Sequence, residues 1–550
     1  MSDDLHFADL HFAEISEIAA LLHTRKLSPV ELTRAMLERI DRLDGRLHAF
    51  ARTTPELALA QARDAEAMLM QRRILGPLHG VPIALKDLCF TKGIATAAGM
   101  PLHSRFVPAF DGTVVARLRD AGAITLGKLQ LTEGAFADHH PDISVPVNPW
   151  HADLWPGASS SGSGVATAAG LCFGAIGTDT GGSIRYPSAA NGVTGLKPTW
   201  GRVSVNGAFE LAASLDHIGP MCRSAADCGA MLGLMAGADP RDPSARVEPV
   251  PDYLAGNSRD LRDLRIGIDS AYNSTGVDAT MRATVNDAAE VLRALGAELR
   301  HVSFPDPVDA IRDWPAACAV ETAVAHEASF PSQRAAYGPG LAGFIDMGRA
   351  VSALDLQKVW LRRRAFTGRL AALFETIDLL LIPAQPMAAP TNAEMATLGT
   401  DPDSFTRLVK FSAPFNMSGS PTITLPSGFT RDGAPIAIQL VARHLGEATL
   451  VRAGRAYQRQ TDWHRRHPAG WRRARPLAGR FARRRRQSSN PARRGARPPL
   501  DLNRPAPAPP GPSSRAGSRP ALRSAPASCR RRRSALSARP RRRCPRSRPT

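Results

Sequence analysis

Residues 156–184 run Pro-Gly-Ala-Ser-Ser-Ser-Gly-Ser-Gly, then a small and apolar stretch over 165–176, then Gly-Thr-Asp-Thr-Gly-Gly-Ser-Ile. A Ser/Gly stretch without apolar residues would be a linker. The apolar stretch here suits a buried helix followed by a strand, so the Gly/Ser loops flank a packed element. Ser159 and Ser183 stand at its two ends. Hydroxyls and free backbone N–H groups converging on one pocket are the parts of a nucleophile with an oxyanion hole.

The 550 residues, 43% of them hydrophobic, can bury one large core or two ordinary ones. The net charge of +20 comes from one end: residues 471–550 hold 25 Arg, one Asp (Asp501) and neither Lys nor Glu, which leaves −4 for the first 470. A nucleic-acid role argued from charge therefore rests wholly on that tail, and is not the reading favoured here. The tail also lacks Ile, Val, Met, Tyr and His, so it cannot bury a core. It is expected to be disordered, or an out-of-frame extension of a GC-rich gene. Seven scattered cysteines without a Cys-x-x-Cys pair fit a reducing compartment, and neither a disulfide framework nor a zinc site. No secretory signal opens the chain and no apolar run approaches the ~20 residues that span a bilayer. The expected location is cytoplasmic.

Residues 14–72 read as helical, with Ser28-Pro29-Val30-Glu31 as a capping box and Leu32, Met36, Ile40 and Leu43 on one face. Strand-like runs follow at 81–86, 123–126, 174–178, 266–268, 298–304 and 377–382, with helices after Ser163 and over 279–295. Asp432-Gly433 joins 422–425 to 435–441 as a hairpin, and 450–463 reads as a last helix. The alternation predicts an α/β fold in layers. Its expected divisions are an N-terminal helical region over 1–75 packed on the core, the core over 76–468, and the tail over 469–550.

Serine needs a base within hydrogen-bond reach. His139, His140 and His217 lie in no constrained context, and neither a Gly-x-Ser-x-Gly elbow nor a Ser-x-x-Lys pair occurs at Ser159 or Ser183. Lys86 closes the apolar run Val81-Pro82-Ile83-Ala84-Leu85. Burial disfavours the charged form of an amine, and a neutral lysine can act as general base. Taken alone, Lys86 reads equally as a surface lysine at a strand end.

Gly80-Val-Pro-Ile-Ala-Leu-Lys86-Asp87, Pro156-Gly-Ala-Ser159-Ser-Ser-Gly-Ser and Gly177-Thr-Asp179-Thr-Gly-Gly-Ser183-Ile-Arg185-Tyr-Pro-Ser resemble the amidase signature enzymes. Asn191-Gly-Val-Thr-Gly-Leu-Lys-Pro-Thr and Gly201-Arg-Val-Ser belong to the same pattern, which spans residues 10–466 in order. The resemblance implies a layered α/β/α domain whose central mixed β-sheet is covered by helices. It implies a Ser-cisSer-Lys triad: Ser183 attacks, Ser159 relays protons after a cis peptide, and Lys86 is the base. Backbone N–H groups of Thr180, Gly181, Gly182 and Ser183 would hold the oxyanion. Ser160, beside Ser161, is expected to support these groups by hydrogen bonding, and Asp179 and Arg185 to stiffen the loop as an ion pair. Cys172 reads as core. No cofactor or metal is expected.

Two roles then compete. One is an amidase that hydrolyses small carboxamides to carboxylate and ammonia or amine through an acyl-enzyme. The other is the glutaminase component of tRNA-dependent amidotransferase, which works only with partner subunits. Leu131-Thr-Glu-Gly-Ala-Phe-Ala-Asp-His-His departs from the Met-Gly-Ser-Ser-Thr-Glu-like run expected of that component, and Leu408-Val-Lys-Phe411 carries no acid where such glutaminases place one before Pro414. Both departures favour the amidase. Its pocket walls are expected in residues 137–147, 205–211 and an insertion over 305–375 that includes Trp314 and the 330–344 stretch. A homodimer is left open.

Overall fold

Residues 10–256, 260–398 and 402–471 are described by a computed structural model. The expectations for the tail beyond residue 471 lie outside the described residues. Eleven strands join into one sheet: β1 (Phe50–Thr53), β2 (Pro82–Lys86), β3 (Ile124–Leu129), β4 (Gly174–Asp179), β5 (Thr194–Lys197), β6 (His217–Cys222), β7 (Arg265–Ile268), β8 (Glu298–His301), β9 (Leu379–Pro383), β10 (Thr422–Phe429) and β11 (Pro435–Ala442). Their spatial order is β1-β3-β2-β4-β6-β5-β10-β11-β9-β7-β8. The sheet is mixed: β2 runs parallel to β3 and β4, while β4/β6, β6/β5, β5/β10, β10/β11 and β11/β9 are antiparallel. Every residue of β2, β3, β4, β6, β9 and β11 is buried. Burial of both faces under helices explains why several of these strands read as near-continuous apolar runs.

The architecture is α/β. The helix over 279–295 is Ala279–Ala294, followed by Gly296 at φ +98°. The hairpin is β10–β11, with Gly433 in its turn at φ +83°. Three departures are informative. The stretch 14–72 is helical except at Phe50–Thr53, which pairs with β3, so residues before 76 also supply a sheet edge. Neither β5 nor β6 is legible as a strand, since β5 has four residues and β6 carries Gly219 and Pro220. The insertion over 305–375 is three helices, Val308–Ala325, Pro339–Ala350 and Ala353–Leu373, the first packed on the other two.

These choices place the site. β2 delivers Lys86 at its C-terminal end, beside β4. Helices Ser161–Ala168 and Arg185–Asn191 flank β4 and pack on each other, bringing both Gly/Ser turns to one end of the strand.

Candidate active site

Lys86 is completely buried at the end of β2, and its ammonium meets hydroxyls only. Nζ donates to Ser159 Oγ at 2.7 Å, to Ser160 Oγ at 2.9 Å and to Thr178 Oγ1 at 2.7 Å. No carboxylate lies within ion-pair distance of it among the described residues. Lys128, one strand away, instead stands 3.3 Å from Asp87. Burial lowers the Lys86 pKa to about 7, with Cys89, Asp216 and Asp179 only partly opposing it. A neutral amine has two N–H bonds and one lone pair. Ser160 Oγ donates to Thr178 O at 3.2 Å and accepts from Thr178 N at 3.2 Å, so towards Lys86 it can only accept. With Ser160 and Thr178 taking the two hydrogens, the lone pair is left for Ser159.

The peptide bond between Ala158 and Ser159 is cis. Ser160 N–H donates to Ser183 O at 3.3 Å, which holds the Ser183 turn against the Ser159 turn. Ser183 itself is half-buried, and its hydroxyl makes no hydrogen bond among the described residues. The turn before it is built for close approach. A Cβ on Gly181 would lie 2.2 Å from the Trp314 ring, and Gly182 sits at φ +132°.

Asp179 organises that turn from beneath. It accepts from Gly182 N at 2.9 Å, Ile184 N at 3.0 Å, Arg185 Nε at 2.9 Å and Asn416 Nδ2 at 2.9 Å, in a fully buried pair with Arg185. Burial would raise its pKa, but Arg185 and these hydrogen bonds outweigh burial and hold the carboxyl well below the usual range. Arg185 also donates to the carbonyls of Phe411 and Ser412 and to the side chains of Gln439 and Asn416. The Gly182 N–H, expected among the oxyanion donors, is thus taken by Asp179. The N–H groups of Thr180, Gly181 and Ser183 have no acceptor among the described residues.

Three participants carry no local sequence signature. Thr178 is a hydroxyl on a buried strand. Asp216 accepts the Thr180 hydroxyl at 2.5 Å and the N–H groups of Leu211 and Ala212, and burial pushes its pKa up to about 6. Trp314 is buried in helix Val308–Ala325, and its Nε1 donates to Thr180 O at 2.9 Å. Composition alone suggested Trp314 as a wall; it clamps the turn as well. His217 is tied to the carbonyls of Asp179 and Leu215 through Nδ1, and burial drives its pKa far down. His139 Nε2 meets Ser161 Oγ at 3.1 Å. Neither histidine has a described hydrogen bond to Ser159 or Ser183. Cys172 is buried in the core. Among the described residues no cluster of His, Cys, Asp or Glu is arranged to hold a metal ion.

The amidase family profile matches residues 31–451, more than half of the chain. AmiD of Mycobacterium tuberculosis, a protein named as an amidase, is 47% identical over 455 residues, covering 83% of this chain and 95% of its own. The first subunit of glutamyl-tRNA(Gln) amidotransferase from Methylococcus capsulatus is 39% identical over 490 residues, covering 84% of this chain and 99% of its own. Among solved structures, native peptide amidase from Stenotrophomonas maltophilia superposes with a TM-score of 0.70 at 30% identity, covering 83% of this chain and 98% of its own. Fold and relatives together define a hydrolase acting on amides. The chain belongs to the amidase family.

Proposed function

We propose that this amidase works through Ser183, Ser159 and Lys86, as a stand-alone hydrolase of small carboxamides. The observation that carries the reading is the Lys86 ammonium, buried without a carboxylate and 2.7 Å from Ser159 Oγ at the foot of the Ser183 turn. In the neutral form Lys86 takes a proton from Ser159 as Ser159 takes one from Ser183. The Ser183 oxygen then bonds to the amide carbon, and charge develops on the carbonyl oxygen. Thr180, Gly181 and Ser183 N–H groups are the available donors to it, with Gly182 excluded by its bond to Asp179. Such donors are each worth about 10²–10³ in rate. The C–N bond breaks as Ser159 returns a proton to the leaving amine, and water releases the acyl group by the same path in reverse.

The amidotransferase relative supports the second reading, a glutaminase that serves a larger complex. Residues 408–411 argue against it. Lys410 turns away to the carbonyls of Tyr272 and Thr275, while Phe411 presents its own carbonyl to Arg185. Phe405, not an acid, faces Trp314 at 6.2 Å between ring centroids. No helix among the described residues is long and apolar enough to cross a membrane. The five described cysteines are free and buried, which supports a reducing, cytoplasmic setting. The test is ammonia release from simple amides by the purified protein alone. Turnover that is abolished by Ser183→Ala supports the proposal. Activity only with glutamine and added subunits overturns the stand-alone reading, and full activity in Ser183→Ala overturns the mechanism.

A further inference from the structure

A cleft of about 290 Å³, including its open mouth, adjoins the machinery just described. Two of its lining residues are Thr178 and Asp216, hydrogen-bonded to Lys86 and to Thr180 respectively. Its walls are Leu88, Ala135, Phe209, Leu211 and Ile218. Backbone pairing ties the outer wall to the base: Phe209 N–H donates to Leu88 O at 3.1 Å, two residues after Lys86. Phe209 is backed by Phe90 at 5.2 Å and Phe106 at 5.4 Å between ring centroids, and His103 stacks on it at 4.9 Å. Apolar surface then continues outward, with Phe106 38% and Phe110 46% exposed.

The charges around the cleft are all of one sign. The lining holds no Lys or Arg; its two ionisable groups are Asp216, already saturated by donors, and Glu210 at the exposed rim. Burial keeps the His103 pKa below its ordinary value, so that ring stacks as a neutral group. A carboxylate entering here would be desolvated without a cation to meet it. Resting on the amidase reading above, we propose that this cleft receives an uncharged apolar substituent of the substrate amide, a ring or short branched chain, with Phe209 as the residue that sets the preference. It is built against free glutamine, whose α-carboxylate finds no partner among these walls.

The test compares purified full-length protein on acetamide, phenylacetamide, N-benzylacetamide and glutamine, reading ammonia or amine release. Wild type is expected to favour one of the two benzyl-bearing amides over acetamide by about tenfold or more in kcat/KM. Which one responds places the cleft on the acyl or the leaving side. Phe209→Ala, which removes the wall, and Ala208→Phe, which fills the cleft from its half-buried rim, should each cut that ratio about tenfold. Equal turnover of acetamide and both benzyl amides, a preference for glutamine, or a ratio unmoved in both variants overturns the inference while leaving amide hydrolysis intact. No release from any of the four overturns the amidase reading and the inference with it.

Discussion

Thr178→Val tests whether the hydroxyl cage prepares Lys86 as a base. The substitution keeps the shape of a buried β4 side chain and removes only the acceptor 2.7 Å from Lys86 Nζ. A hydrogen bond to a charged group contributes ~1.5–3 kcal/mol and one to a neutral group ~0.5–1.5 kcal/mol. Losing this acceptor therefore penalises the ammonium over the amine by about 1.4 kcal/mol, which is about one pKa unit. The lone pair also loses one of the two groups that aim it at Ser159. The assay is the pH profile of kcat/KM on one amide. Wild type should lose activity as pH falls through about 7, because protonated Lys86 cannot accept from Ser159. In Thr178→Val that acid limb should move down to about 6, with a plateau lowered about fivefold by misdirection of the amine, a cost of about 1 kcal/mol. An acid limb that stays in place or moves upward would refute the argument, since either means that Thr178 does not stabilise the charged form.

Other parts of the site make separate demands. Arg185→Met leaves the Asp179 carboxylate buried without its cation and should cost about 3–5 kcal/mol, read as a fall in the urea midpoint; an unchanged midpoint would show that Asn416 and the backbone donors suffice. Trp314→Phe keeps a ring over Gly181 but removes the donor to Thr180 O. It should lower kcat about tenfold while the melting temperature falls only a few degrees, and equal kcat would mean that the clamp is idle. Asp216→Asn removes an anion that opposes deprotonation of Lys86, so the acid limb should shift to lower pH; a shift to higher pH would contradict the assigned sign.

The sequence made Lys86 legible because an apolar run led straight into it, and both serines because Gly/Ser turns bounded a helix and a strand. Thr178 escaped notice because a threonine on a strand is ordinary, and only the pairing of β2 with β4 reveals what it faces. Asp216 and Trp314 reach Thr180 from 36 and 134 residues away in the chain, a separation that no local pattern encodes. The donors of the oxyanion turn were overcounted for a related reason. Asp179 was expected to pair with Arg185, but its second oxygen has lone pairs to spare, and Gly182 supplies one of them. The sheet was read through its apolar strands, and β5 and β6 were missed where Gly, Pro and shortness hide burial.

The reach of Arg185 imposes an order in time on the nascent protein. Its acceptors at Phe411, Ser412, Asn416 and Gln439 lie more than 220 residues downstream. A ribosome that has made both serines and the lysine has therefore not yet made a competent turn. Until the final hairpin is synthesised and seated, the guanidinium lacks the carbonyls that align it, and Asp179 lacks Asn416. Hydrolysis of stray cellular amides by half-made chains is thereby withheld, and the onset of turnover during translation would report completion of the last strands.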